Sequence, residues 1–315
     1  MKKIFDVPNA RTIHEMLTPR LGGLAIFAGF ASALTIFGDL TSPVIQKALA
    51  GTIMIFFIGL KDDIVPVSPF KKFFVQVLAT GIVMFLSDLR VSSFYGILGI
   101  DKLDDGISYL FTFMVIVGIT NAINLIDGVN GLAGTMVMIA GLTFGITFLE
   151  YKDPMAYLAF PLVGGVVGFL RYNFNKAIIF MGDTGSLMSG YLLAVMAIGL
   201  VERAPVIGHT PALTIAALFI PILDTIRVFV LRVLVGRSPF SPDRNHLHHR
   251  LLVLGLNHTM TVAVLAIVNL LAIILVLSLP ILSDTWLIGL LMIYGIVFSL
   301  ILELLTRNKK DAAPL

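Results

Sequence analysis

Apolar runs, each about the length that crosses a bilayer, alternate along this chain with short polar connections. That alternation predicts about ten membrane-spanning helices. The runs lie near residues 21–38, 44–60, 70–89, 107–125, 131–149, 155–171, 185–202, 211–235, 259–279 and 285–305. An even number of spans puts both termini on one side, together with the connections at 61–69, 126–130, 172–184 and 236–258. Lys2 and Lys3 are followed by a polar stretch within 1–20, not by the apolar core of a cleavable signal peptide. No internal repeat, low-complexity tract or soluble domain interrupts the pattern. Residues 1–315 therefore read as one polytopic, all-α membrane domain.

Composition agrees. The 315 residues are 57% hydrophobic and 13% charged, with a mean hydropathy of +0.98, whereas soluble domains carry about 25% charged residues. The absence of cysteine excludes disulfides and thiolate metal sites. A net charge of +3 suggests no nucleic-acid partner, but its distribution orients the chain. Of 22 Lys and Arg residues, only Lys47, Arg90, Lys102, Lys152 and Arg203 flank the side opposite the termini. The positive-inside bias thus puts the termini in the cytoplasm, and the protein is expected in the plasma (inner) membrane.

The polar residues that break the pattern gather on that cytoplasmic side. In Asn121–Gly134, NAINLIDGVNGLAG, the residues Asn121, Asn124 and Asp127 recur at i, i+3 and i+6, so they follow one slowly turning helical stripe. Alone, this reads equally well as a polar turn between spans. Lys61-Asp62-Asp63 ends an earlier span; adjacent carboxylates can share a divalent cation or divide the roles of base and charge, or merely cap the interface. Lys71, Lys72 and Gln76 follow, as snorkelling anchors or as contacts to phosphate.

Phe180–Ser186, FMGDTGS, leads into another span. Glycines and hydroxyls at a fresh helix N-terminus make a phosphate seat, to which Asp183 can bring Mg²⁺. Asn173 and Asn175 just upstream exceed what a simple cap requires. Arg244–Arg250, RNHLHHR, lies in the connection 236–258. Its arginines oppose a zinc site and suit a pyrophosphate, with His246, His248 and His249 beside them. Four such motifs on one face outline a cytoplasmic cleft between interhelical loops, equipped for phosphoryl transfer at a membrane. A transporter would instead concentrate its charges and broken helices at mid-membrane.

The segments TPRLGG (Thr18–Gly23), KDD, NAINLIDGVNGLAG, YNFNKAIIFMGDTGS (Tyr172–Ser186) and SPFSPDRNHLHHRLL (Ser238–Leu252) resemble, in order and over nearly the whole chain, the polyprenyl-phosphate N-acetylhexosamine-1-phosphate transferases. The DRNHLHH form and the TPR tripeptide are similar to the bacterial undecaprenyl-phosphate N-acetylglucosamine branch. The alternative branch, phospho-MurNAc-pentapeptide transferase, has TPTMGG and consecutive histidines. The resemblance implies that undecaprenyl phosphate attacks the β-phosphate of UDP-N-acetylglucosamine and expels UMP, starting cell-envelope glycan synthesis such as that of lipopolysaccharide or teichoic acid.

The resemblance also implies a Mg²⁺ cofactor, with Mn²⁺ as a substitute, and Asp183 and Asp127 as its ligands. Asp62, Asp63 and Asp127 match catalytic positions. Arg20, Lys72, Asn121, Asn124, Asn173, Phe180, Arg244, His246, His248 and His249 are expected to bind substrate, with Phe180 stacking on uracil. Partners are then the UDP-sugar, the lipid phosphate, membrane lipids and, as an open assembly, a second copy. Asn130 stands where many relatives carry an aspartate, and many relatives have a further span before the TPR segment.

Overall fold

The computed structural model describes residues 5–6, 18–174, 176–238 and 245–311. Two short strands, β1 (Phe5–Asp6) and β2 (Thr18–Pro19), pair antiparallel ahead of α1 (Gly22–Phe37), α2 (Pro43–Ile64) and α3 (Pro69–Leu86). A hairpin of β3 (Ser93–Ile97) and β4 (Ile100–Lys102) precedes α4 (Asp105–Leu125), α5 (Leu132–Glu150), α6 (Ala156–Asn173) and α7 (Gly182–Val201). A one-turn helix α8 (Ala204–Ile207) follows, then α9 (Thr210–Ala217), α10 (Phe219–Leu234), α11 (Leu247–Val253), α12 (His258–Ser278) and α13 (Asp284–Asp311).

Each of the ten apolar runs coincides with a helix, except that 211–235 is broken into α9 and α10, which meet at 74°. Among the described residues, seven helices are long and apolar enough to cross a membrane, or eight if the bent pair counts as one span. The expected ten are therefore not reached by length and apolarity: α1 has only 16 residues, and α6, which carries Pro161 in its interior, is not one of the seven. The chain is a multi-pass, all-α membrane protein. Its outward side chains, such as Phe57, Met114, Ile146 and Ile293, are exposed apolar groups that suit lipid.

The bundle is built around α7, in which every residue from Thr184 to Leu200 is buried. Such a helix has no lipid-facing side, and its neighbours must come close all round. Small residues allow this, as is usual where helices lack a hydrophobic drive to pack in lipid. A methyl added at Gly23 would lie 2.2 Å from the Gly185 nitrogen, and one at Gly59 would lie 2.6 Å from the Thr184 Cα. Deeper in the bundle, Tyr191 passes over Gly51 and donates to the Ala79 carbonyl at 2.9 Å.

The break between α9 and α10 leaves backbone groups without helical partners in a region where water cannot serve them. Asn269 of α12 supplies them. Its Oδ1 accepts the Ile220 N–H at 3.0 Å, and its Nδ2 donates to the carbonyls of Ala216 and Ala217 at 3.2 and 3.1 Å. The bend sends α10 towards the end of the bundle where α7 begins. Asn269→Leu should lower stability by about 1–3 kcal/mol for each backbone group left unpaired. Unfolding by added denaturing detergent measures it; a midpoint unchanged from the parent protein would deny Asn269 this role.

Candidate functional site

The site forms where α7 starts. Gly182 has φ +68, a value natural to glycine, and the turn presents the first N–H groups of α7 to Asp63. Asp63 Oδ1 accepts from the Asp183 N–H at 2.9 Å, while Oδ2 accepts from the Thr184 N–H at 3.0 Å and its hydroxyl at 2.5 Å. The carboxylate is buried, and it caps the helix from outside. Asp63 therefore differs from the expectation of a paired catalytic base, because both its oxygens are committed to α7.

Asp62 faces the other way. It accepts the Val67 N–H at 2.6 Å and lies 3.3 Å from Lys72 Nζ, which in turn lies 2.7 Å from Asp183 Oδ2. One ammonium thus bridges two carboxylates from different helices in a partly open cleft. The other Asp183 oxygen accepts from Asn124 Nδ2 at 3.2 Å, and Asn124 also reaches the Ser186 hydroxyl at 2.8 Å. Asn121, one turn earlier, donates to Gln76 Oε1 at 2.8 Å and so ties α4 to α3.

Asp127 sits in the turn between α4 and α5. Withdrawal from water raises its carboxyl to about 7, the charges of Asp183 and Asp63 add to this, and Arg20 opposes it. Of these carboxylates Asp127 and Asp183, the latter already paired with Lys72, are the ones that could hold a cation. Among the described residues no three or more His, Asp or Glu side chains converge as a complete metal cage. The arrangement fits Mg²⁺ in its usual mode, in which one or two carboxylates hold the ion and substrate phosphates and water complete its shell.

Asn173 departs from its expected role in substrate binding. It is 4% exposed, accepts the Gly131 N–H at 2.7 Å and donates to the Ile179 carbonyl at 2.8 Å, so it braces the turns on either side of the cleft. Phe180 is half-buried and its backbone pairs with Pro19 and Gly22, which brings the Thr18–Gly23 segment and exposed Arg20 alongside. Arg244 and Asn175 lie outside the described residues.

The histidine loop packs on α10 and on the turn after α4. On α10, Asp224 accepts from His246 Nδ1 and from the Leu247 N–H, both at 2.7 Å, so the His246 ring is held by a carboxylate. His248 is 2% exposed and packs on Gly128, where an added methyl would lie 2.6 Å from its Nε2. Burial, then His249, pushes the His248 imidazole down to about 3, so it is neutral at physiological pH. His249, only partly buried, stacks obliquely on His248 with ring centroids 4.3 Å apart. His246 and His248 thus dock the loop onto α10 and the Asp127 turn, and His249 is the ring nearest solvent. Sequence reasoning missed Glu303 of α13, which pairs with Arg227 and Arg250 at 3.4 and 2.8 Å. Its only signal was a lone acid in a very apolar run.

A cavity of ≈ 440 Å³ with apolar walls lies towards the other end of α7, lined by Phe94 of β3, Phe111 and Ala122 of α4, Val201 at the close of α7, Pro211 of α9 and Leu218 at the α9–α10 break. From Phe111 to Ala122 it follows α4 for roughly 16 Å, and none of Asp62, Lys72, Asn124 or Asp183 lines it.

Carboxylates, an amide and an ammonium gathered at one end of an apolar helical bundle suit an enzyme that handles phosphate groups at a membrane. The glycosyl transferase family 4 model matches residues 45–201. A Bacillus subtilis (strain 168) protein described as a probable undecaprenyl-phosphate N-acetylglucosaminyl 1-phosphate transferase is 35% identical over 267 residues, 84% of this chain and 74% of its own length. The decaprenyl-phosphate N-acetylglucosaminephosphotransferase of Mycobacterium leprae (strain TN) is 34% identical over 80% of this chain and 70% of its own. The undecaprenyl-phosphate α-N-acetylglucosaminyl 1-phosphate transferase of Escherichia coli (strain K12) is 28% identical over 85% and 76%. The chain belongs to this family of glycosyl transferases.

Asp63→Asn would turn an amide NH₂ or a single oxygen towards two backbone N–H groups and should cost about 1–3 kcal/mol of stability. Asp62→Asn removes only part-exposed contacts and should cost less than about 1 kcal/mol. Thermal unfolding of both variants in detergent compares them; equal losses would contradict the division of labour.

Proposed function

We propose that this enzyme transfers N-acetylglucosamine 1-phosphate from UDP-N-acetylglucosamine to undecaprenyl phosphate, releasing UMP. The observation that carries the reading is the Lys72 bridge between Asp62 and Asp183, which sets an ammonium between carboxylates of two other helices in a partly open cleft. The ammonium gives the phosphate of a lipid acceptor a cation to meet. The names of the relatives supply the acceptor and the sugar. The Lys/Arg bias supports a site facing the cytoplasm, where nucleotide-sugars are made.

In the reaction an oxygen of the acceptor phosphate attacks the β-phosphorus of the donor. The bond from that phosphorus to the bridging oxygen breaks, and the oxygen leaves on UMP with the electron pair. A phosphate monoester has a second pKa of about 6, so most acceptor is already dianionic at pH 7. It needs orientation and charge compensation more than a strong base. Lys72 supplies the charge, Asp62 fixes Lys72, and Asn124 fixes Asp183. Asp183 with Asp127 would hold Mg²⁺, which when bound supplies further positive charge to the donor pyrophosphate. The histidine loop, with Arg244, Phe180 and Arg20, binds the nucleotide-sugar.

The test offers undecaprenyl phosphate, Mg²⁺ and one UDP-sugar at a time to the purified protein, and weighs the lipid product. N-acetylglucosamine 1-phosphate should be transferred and the muramyl pentapeptide refused; transfer of the pentapeptide alone would reassign the branch, and no lipid product from any donor would reject the reading. Asp183→Asn should abolish turnover in a folded protein. Asn124→Leu should cost about 10–100-fold in activity or in the Mg²⁺ needed for half-maximal rate, as expected when a carboxylate ligand loses the hydrogen bond that orients it.

A further inference from the structure

Helix α13 carries Glu303 to the back of the histidine loop. Glu303 Oε2 lies 2.8 Å from Arg250 Nη1 and 3.4 Å from Arg227 Nη2, and Oε1 lies 3.1 Å from Arg307 Nε. Both inner arginines continue into the loop. Arg227 Nη1 donates to the Asn245 carbonyl at 2.6 Å, and Arg250 Nη2 donates to the Asn245 side chain at 3.2 Å. Arg250 also reaches the hydroxyl of Thr306, a buried residue one turn beyond Glu303.

We infer that Glu303 is a positioning residue for the nucleotide-sugar site, holding Arg227 and Arg250 so that the loop 245–250 docks in one register. Two guanidinium groups converge on Asn245 from different helices, and like charges so close need a shared counter-charge in a setting poor in water. Glu303 provides it. With that carboxylate neutralised, the two cations repel, Asn245 loses its fixed donors, and the adjoining His246–His249 segment keeps only its contacts with Asp224 and Gly128. Glu303 touches no reacting atom, so its effect should fall on donor binding and not on the chemical step. The inference rests on the reading that this loop binds the UDP-sugar.

Steady-state kinetics with both substrates varied tests it. Glu303→Gln should raise KM for UDP-N-acetylglucosamine about tenfold or more, as loss of a supporting hydrogen-bonded partner does elsewhere. It should leave kcat and KM for the lipid phosphate within about threefold, and Glu303→Asp should recover part of the loss. Because the two residues act through one contact, Glu303→Gln combined with Arg250→Gln should raise donor KM no further than Arg250→Gln alone. Multiplied effects, or a fall in kcat with unchanged donor KM, would overturn the inference. So would a Glu303→Gln protein too unstable to purify, if Glu303→Asp, stable, then showed no rise in donor KM. His249→Ala separates the two ideas: unchanged donor KM there defeats the loop reading itself, whereas a raised value with an unaffected Glu303→Gln defeats only the role of Glu303.

Discussion

Everything at the catalytic end depends on one carboxylate meeting one helix terminus. The opening N–H groups of α7 have no partners within the helix, and the helix is wrapped by protein, so water does not serve them freely. Asp63 satisfies two of them and the Thr184 hydroxyl as well. That contact fixes the rotation of α7 against α2, and so decides where Asp183 points. The glycines at 23, 59 and 185 let α1 and α2 come close enough for it to form. The helix end that carries Asp183 is thereby held in place.

Around that fixed point the polar residues form two tiers. Lys72, Asp62, Asp183 and Asn124 face one another across the cleft and retain some access to solvent. Asp63, Asn173, Asp224 and His246 are buried and spend their hydrogen-bonding capacity on backbone or on each other, and buried His248 packs against Gly128. Motif residues that look alike in a sequence therefore divide into those that can meet phosphate and those that hold the first group in place. The neutral state of His248 follows the same division, since a charged imidazole would be costly where it packs against Gly128.

Much of this was legible from the residues. The apolar runs located the helices because each run approximates the thickness of a bilayer, and the four polar motifs did converge on one end. The jobs of Asp62 and Asp63 were not legible: adjacent residues on a helix point about 100° apart, and no pattern says which of them meets the neighbouring helix. The stretch 211–235 read as one span because its composition is continuous, yet it is broken at Leu218. The clue was on another helix, where Asn269 interrupts an otherwise apolar sequence. Glu303 stayed hidden for a similar reason, since its partners Arg227 and Arg250 are far from it along the chain.

The bend sealed by Asn269 also bears on how the protein is made. A helix that carries its own hydrogen bonds can leave the insertion machinery and rest in lipid alone, but the α9–α10 pair cannot, since three of its backbone groups are served by a side chain synthesised some fifty residues later. Until α12 emerges, the segment must stay beside the translocon, keep contact with water, or form a straight helix that later breaks. Membrane insertion of the C-terminal third is therefore a joint event. A ribosome that stalled between α10 and α12 would leave an unfinished intermediate for quality control to recognise.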